Sequence, residues 1–168
     1  MSIPAEKLAD GIDLAIDFIG RLVSWIALLL ALVMGANVLM RYGFSLGSIW
    51  MQELEWHLLV PICLIGMSYA LRHGEHVRVD ILYVRLSPRG RIAVDLAGSL
   101  LGMAFSALVI WLSLAYVWQS WSIGEGTANP GGIEHRYVIK SLIPLGFALL
   151  FAQSLAQAIR AALGLRRA

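Results

Sequence analysis

The amino-acid sequence predicts an all-α integral membrane protein with four transmembrane helices and both termini in the cytoplasm. Three long stretches contain no Asp, Glu, Lys or Arg, namely residues 22–40, 96–124 and 141–159. A fourth stretch, 56–71, is interrupted only by His57. A helix rises about 1.5 Å per residue and the hydrocarbon layer of a bilayer is about 30 Å thick. Each stretch is therefore long enough, or nearly long enough, to cross a membrane.

The composition supports this fold class. Hydrophobic residues make up 59% of the chain and the mean hydropathy is +0.75. A soluble domain of 168 residues needs far more polar surface than such a composition supplies. We therefore predict one membrane domain, 1–168, with spans at about residues 22–43, 50–71, 91–121 and 140–160.

The segment before the first span, residues 1–21, is predicted to be an amphipathic helix. Its apolar residues fall near helical spacing at Leu8, Ile12, Ile16 and Ile19. It is not a cleavable signal peptide, because acids occupy the region that would be positive in a signal: Glu6, Asp10, Asp13 and Asp17. The segment either lies on the membrane surface or extends the first span into the cytoplasm, and the extension is the preferred interpretation.

The orientation follows from the Lys and Arg residues on alternate sides of the membrane. Ten of them lie on the side of the termini and the second connection: Lys7, Arg21, Arg72, Arg78, Arg85, Arg89, Arg91, Arg160, Arg166 and Arg167. The opposite side has only three: Arg41, Arg136 and Lys140. The positive-inside rule places the richer side in the cytoplasm. An aromatic belt at the outer interface agrees with this, and consists of Tyr42, Phe44, Trp50, Trp56, Tyr116, Trp118 and Trp121. The basic residues therefore indicate topology, not a nucleic-acid partner.

The connection between the second and third spans carries the densest polar chemistry. His73 and His76 flank Gly74, with neither the i, i+4 helical pairing nor the Cys spacing of a metal motif, so we predict a solvated, ion-paired loop and no metal. Ser87 and Pro88 are then predicted to be the N-cap and the first helical residue of the third span.

His57 is the one ionisable group predicted to lie deep in the membrane, and Glu53 is four residues earlier on the same helix face. The two residues form either a proton-handling pair or a structural pair near the membrane interface, and the structural pair is preferred.

The other histidines lie in connections, so no haem-ligand pair is expected. The single cysteine, Cys63, has no activating charge nearby, and we expect no cofactor and no catalytic site.

The spans contain small residues at four-residue intervals, which allow close helix approach in a membrane. The clearest row is on the third span and comprises Gly98, Gly102 and Ser106. The sequence thus predicts a chain that packs helices, either with one another or with a partner.

Three groups of residues resemble one known family, the DctQ-like small membrane subunits of tripartite ATP-independent periplasmic (TRAP) transporters. The first group surrounds the first connection and comprises Arg41, Tyr42, Phe44, Trp50 and Glu53. The second is in the cytoplasmic connection and comprises residues 70–72 and His76, Val77, Arg78, Val79 and Asp80. The third is the run 143–147, which contains Pro144. The resemblance extends from about Arg21 to Arg160.

The resemblance implies a small scaffold subunit in the bacterial inner membrane. Its partners would be a large multi-span membrane subunit holding the substrate and sodium sites, a soluble periplasmic substrate-binding protein, and membrane lipid. The cargo would be a small organic acid anion. Candidate structural or subunit-interface residues are Arg41, Trp50, Glu53, Arg72, His76, Arg78, Asp80, Gly98, Gly102 and Pro144.

The alternative from another class is an autonomous small multidrug-type exporter, which is also four-span and of similar size. Such a protein depends on a membrane-buried Glu in its first span. Here that span offers only Ser24 and Asn37 as polar groups.

Overall fold

The computed structural model describes residues 4–75 and 83–167 and contains four long helices in that part of the chain. They are α1 (Pro4–Gly43), α2 (Ile49–His73), α3 (Pro88–Ser122) and α4 (Arg136–Arg167). All four are long and apolar enough to cross a membrane, which confirms the predicted all-α membrane fold. Three of the candidate residues, His76, Arg78 and Asp80, lie outside the described residues.

Helix α1 is continuous from Pro4 to Gly43, so the described part of the acidic N-terminal segment continues the first apolar stretch without a break. Its 40 residues correspond to about 60 Å, roughly twice the thickness of the hydrocarbon layer. About half of α1 therefore has to project beyond that layer.

The helix ends follow local signals in the sequence. Ser87 caps α3 by accepting a hydrogen bond from the Gly90 N–H at 3.2 Å, and Pro88 follows it, as predicted. Helix α2 ends at Gly74, whose left-handed φ of 75° closes the last turn while the next N–H, of Glu75, donates to Ala70 O at 3.0 Å.

Helix α4 is the centre of the molecule. It packs against α1, α2 and α3, whereas in the described ranges α3 packs extensively only against α4. The close approach of α2 and α4 depends on Gly146, because a Cβ at this position would lie 2.7 Å from the backbone oxygen of Leu64. The helices thus form an open arrangement in which α3 flanks α4 and is not enclosed on its other sides.

The contact between α3 and α4 uses a row of small polar residues seven positions apart. The buried positions on α3 are Ser99, Ser106, Ser113 and Ser120. The hydroxyl of Ser99 donates to Asp95 O at 2.7 Å and that of Ser113 to Ile110 O at 3.0 Å, so these buried groups are satisfied within their own helix. A seven-residue spacing keeps one side of a helix against a neighbour that crosses it at a small angle.

The Gly98, Gly102 and Ser106 row is only partly used for this packing. A Cβ on Gly102 would lie 3.0 Å from Oγ of Ser154 on α4, and Ser106 is fully buried. Gly98, in contrast, is exposed and a Cβ there would meet no atom within 4 Å. The sequence prediction treated the four-residue row as one contact, but the buried seam follows the seven-residue serine spacing.

Most of the apolar surface of the spans is not covered by the chain itself. Only 11% of the most apolar window is buried in α1, α2 and α3, against 28% in α4. This surface must face lipid or another subunit.

Candidate functional site at the two ends of the helices

The carboxylate of Glu53, in the second turn of α2, fixes the connection between α3 and α4. Its Oε1 accepts hydrogen bonds from Oγ1 of Thr127 at 2.6 Å and Nδ2 of Asn129 at 2.9 Å. Its Oε2 accepts from the backbone N–H of Ile133 at 2.6 Å. Glu53 is only 7% exposed, and its carboxylate has no ion-pair partner among the described residues. The three neutral donors therefore satisfy this buried charged group.

The local sequence of the connection makes this contact possible. Gly131 has a left-handed φ of 79°, which favours glycine, and the N–H of Gly132 donates to Asn129 O at 3.1 Å. A Cβ on Gly132 would lie 2.5 Å from Oε2 of Glu53. The turn therefore requires glycine at 132 because the carboxylate approaches the backbone so closely.

His57 does not pair with the Glu53 carboxylate. Its Nδ1 lies 2.7 Å from the backbone oxygen of Glu53, and since a carbonyl oxygen can only accept, Nδ1 donates this hydrogen bond. Both residues are in the same part of α2, as predicted, but the carboxylate faces the third connection. This arrangement ties the imidazole to its own helix and gives no proton path between the two side chains.

A second polar pair strengthens the same connection. Lys140 of α4 forms an ion pair with Glu125, and its Nζ lies 4.0 Å from the centre of the Tyr116 ring on α3. The hydrogen bond from Lys140 lowers the pKa of Glu125. The connection is thus held at both of its ends.

Sequence reasoning missed a polar contact between α1 and α2. Nδ2 of Asn37 donates to Oε1 of Glu55 at 2.7 Å, and Asn37 is buried. The sequence identifies Asn37 as one of two polar groups in the first span. Its partner, Glu55, lies just outside the charge-free stretch that begins at Trp56, so the stretch itself gives no sign of the contact. A polar residue in the middle of an apolar stretch was the available signal.

At the opposite end of the molecule, the acidic face of α1 holds the ends of α2 and α4. Arg72 contacts Asp13 at 3.2 Å and Asp17 at 2.6 Å. Arg160 contacts Asp10 at 3.0 Å and Asp13 at 2.5 Å. Asp13 is shared by the two guanidinium groups, so the three helices are joined in one ionic network.

Neutral side chains complete this network. Nε2 of Gln153 donates to Oδ1 of Asp13 at 3.1 Å, and Nε2 of Gln157 donates to the backbone oxygen of Leu71 at 2.9 Å. Arg72, assigned from the sequence to the loop, lies in the last turn of α2 and finds its partners on α1. From the sequence, the acids of α1 argue only against a signal peptide. Their ion pairs with α2 and α4 could not be predicted, because the sequence does not show that α1 passes both of these helices.

The remaining candidates have no comparable contacts. Arg41 is exposed and its guanidinium lies 5.5 Å from the centre of the Tyr42 ring. Trp50 is half exposed near the start of α2, and Pro144 lies inside α4. Within residues 4–75 and 83–167, no group of three His, Cys, Asp or Glu side chains is placed to hold a metal ion. The polar groups described here join helices and connections.

Comparison with known proteins gives the context for this arrangement. Residues 30–164 match the family described as tripartite ATP-independent periplasmic transporters, DctQ component. The ectoine TRAP transporter small permease protein of Halomonas elongata is 29% identical over 133 residues, which cover 79% of this chain and 68% of that protein. The C4-dicarboxylate TRAP transporter small permease protein of Rhodobacter capsulatus is 26% identical over 106 residues, or 63% of this chain and 46% of that protein.

Proposed function

Because this chain belongs to the DctQ component family of TRAP transporters, we propose that it is the scaffold subunit of a sodium-coupled importer in the inner membrane. The observation that carries the proposal is the family match over residues 30–164. In this role the chain supports and orients a large multi-span subunit that binds substrate and sodium. A transporter subunit of this kind is not an enzyme.

The contacts in the structure suit a scaffold. A subunit that remains fixed while a partner moves needs its helices joined at both ends of the membrane. Here the network around Asp13 joins α1, α2 and α4 at one end, and Glu53 joins α2 to the connection between α3 and α4 at the other. The uncovered apolar surface of the spans supplies the area for lipid and for the large subunit.

The orientation, the remaining partner and the cargo are also proposed. Both termini and the connection after α2 lie in the cytoplasm, which puts the connection held by Glu53 on the periplasmic side, where a soluble substrate-binding protein would arrive. The cargo is a small organic acid anion, which the name of the Rhodobacter relative supports. The Halomonas relative is named for ectoine, so the names of the two relatives indicate different cargoes.

The test separates support from transport chemistry by comparing two substitutions. His57→Gln keeps a hydrogen-bonding side chain but removes the titratable group, so uptake and its pH dependence should be unchanged. Gly102→Leu places a large side chain against Ser154, and such overpacking commonly costs about 1–3 kcal/mol. We expect loss of the co-purified large subunit and a parallel fall in uptake.

Gly11→Leu is the control, because a Cβ there meets no atom within 4 Å. It should leave both the complex and uptake intact. The scaffold proposal is wrong if His57→Gln abolishes uptake while the complex still purifies, since this chain would then take part in moving substrate or ions.

A further inference from the structure

A groove with a volume of about 930 Å³ lies beside α3 and α4, at the end of the molecule where α4 terminates. Its walls come mainly from the first half of α3 and the second half of α4. Along α4 the lining extends from Gly164 to Leu150, and along α3 from Ile92 to Gly102.

The length of the groove matches half of a bilayer. Fourteen residues separate Leu150 from Gly164 in α4, which corresponds to about 21 Å along the helix. One leaflet of hydrocarbon is about 15 Å thick. Leu150 is at the middle of the predicted fourth span, residues 140–160, and Gly164 is beyond its end. We therefore expect the groove to extend from the head-group region to about the middle of the membrane.

The polarity of the lining changes along this length. Near the end of α4 the groove is bordered by Arg160, by Gln157 and by Asp95, whose carboxylate accepts a hydrogen bond from the Tyr83 hydroxyl at 2.8 Å. Further in, the lining contains Gly102 and Leu150. The slot is mostly apolar, with Ser99 and Ser154 as its polar groups. Arg160 contacts Asp10 and Asp13 through Nη2 alone. A rim that contains an acid and a base beside such a slot suits a zwitterionic head group next to an acyl chain.

The groove is open to the surrounding bilayer. Val94 on its wall is 48% exposed, and a Cβ on Gly98 would meet no atom within 4 Å. Among the described helices, α3 packs extensively only on α4, and α2 contributes only Leu71 to the lining of the groove.

We propose that this groove binds one phospholipid from the surrounding bilayer, with an acyl chain along Gly98 and Gly102 and the head group at the rim formed by Asp95 and Arg160. The bound lipid fills the space beside α3 and α4 that no other described helix covers. This assignment rests on the groove itself and does not depend on the proposed transport function.

The experiment fills the groove and counts the lipid that stays bound. The full-length chain is purified in mild detergent with any subunit that accompanies it, and phospholipid retained on this chain is measured by native mass spectrometry with tandem dissociation. Gly98→Leu fits without a backbone clash and occupies the slot. We expect it to lower lipid occupancy about fivefold or more, which corresponds to about 1 kcal/mol of binding free energy.

The matched control is Gly35→Leu, which introduces the same side chain at an exposed helical glycine of α1 that also has no atom within 4 Å of its Cβ position. It should retain lipid like the unsubstituted chain. Val94→Trp, which narrows the same groove from another position, should reproduce the loss. Equal lipid on the Gly98 and Gly35 variants, or a well-folded unsubstituted chain without retained phospholipid, overturns the proposal.

Discussion

At the scale of single residues, Glu53 shows how one carboxylate can order a distant segment. Its three donors, Thr127, Asn129 and Ile133, lie 74 to 80 residues later in the chain. Buried acceptors that lose a donor are destabilising, because the group has already lost its hydration. The carboxylate and the turn around Gly132 therefore depend on each other.

The first prediction is that Glu53→Gln loosens the third connection without unfolding the helices. An amide has one acceptor oxygen and brings an NH2 group toward a donor, so at least one of the three hydrogen bonds is lost. Amide hydrogen exchange of residues 124–135 should become several-fold faster, while exchange within the helices stays unchanged. Glu134→Gln, at an exposed acid of the same connection, is the control and should have no effect. Identical exchange rates in the two variants would show that Glu53 does not order the connection between α3 and α4.

The second prediction uses the lowered pKa of Glu125. A carboxylate whose pKa is lower in the folded state adds stability above its unfolded-state pKa, and this stability is lost as the pH falls through the folded-state pKa. The connection should thus be insensitive to pH near neutrality and loosen only below the ordinary glutamate value of about 4.3. A spin label at Gly126→Cys, in a Cys63→Ser background, should gain mobility in that acidic range. The added substitution Glu125→Gln should reduce the acid-dependent change and leave only the part that comes from protonation of Glu53, which holds the same connection. A transition near pH 7 would contradict this cause.

At the scale of the helices, packing depends on a few positions where backbones approach closely. Gly146 faces the backbone of Leu64, which cannot move aside as a flexible side chain can. Gly164, on the same helix, would place a Cβ 3.7 Å from the Ile92 side chain, which is an ordinary contact. The two glycines of α4 therefore give a matched comparison.

The third prediction is that Gly146→Ala lowers stability whereas Gly164→Ala does not. Overpacking against backbone costs about 1–3 kcal/mol, and alanine in place of glycine within a helix gains at most about 1 kcal/mol. Thermal unfolding in detergent should show a lower midpoint for Gly146→Ala and an equal or higher midpoint for Gly164→Ala. Equal midpoints for both variants would mean that α2 and α4 can separate at no cost.

At the scale of the whole molecule, the two ends differ in their polar contacts. One end is rich in ion pairs between the acids of α1 and the arginines of α2 and α4, and the other is held mainly by neutral donors to Glu53. The end with the ion pairs is the one for which the positive-inside rule predicts a cytoplasmic location.

The fourth prediction concerns the orientation that the positive-inside rule predicts. In a background lacking Cys63, an impermeant thiol reagent should label Gly47→Cys and Gly126→Cys in cells whose inner membrane is accessible from outside. Arg85→Cys, in the exposed segment before α3, should be labelled only after the membrane is permeabilised. Arg85 is chosen over Gly74 because the left-handed φ of Gly74 would strain a cysteine. Labelling of position 85 from outside would contradict the predicted topology.

The sequence by itself determined the four spans and the capping of α3 at Ser87, and the residues around Arg41, Arg72 and Pro144 indicated the family. These properties depend on neighbouring residues, because the cost of placing a side chain in a membrane and the ends of a helix are decided locally. The tertiary structure alone decided which polar groups meet. Asp10 and Arg160 are 150 positions apart and Glu53 and Ile133 are 80 apart, and only the packing of all four helices brings such groups within hydrogen-bonding distance. The same packing decided that the seam of α3 follows its serines and leaves Gly98 beside an open groove.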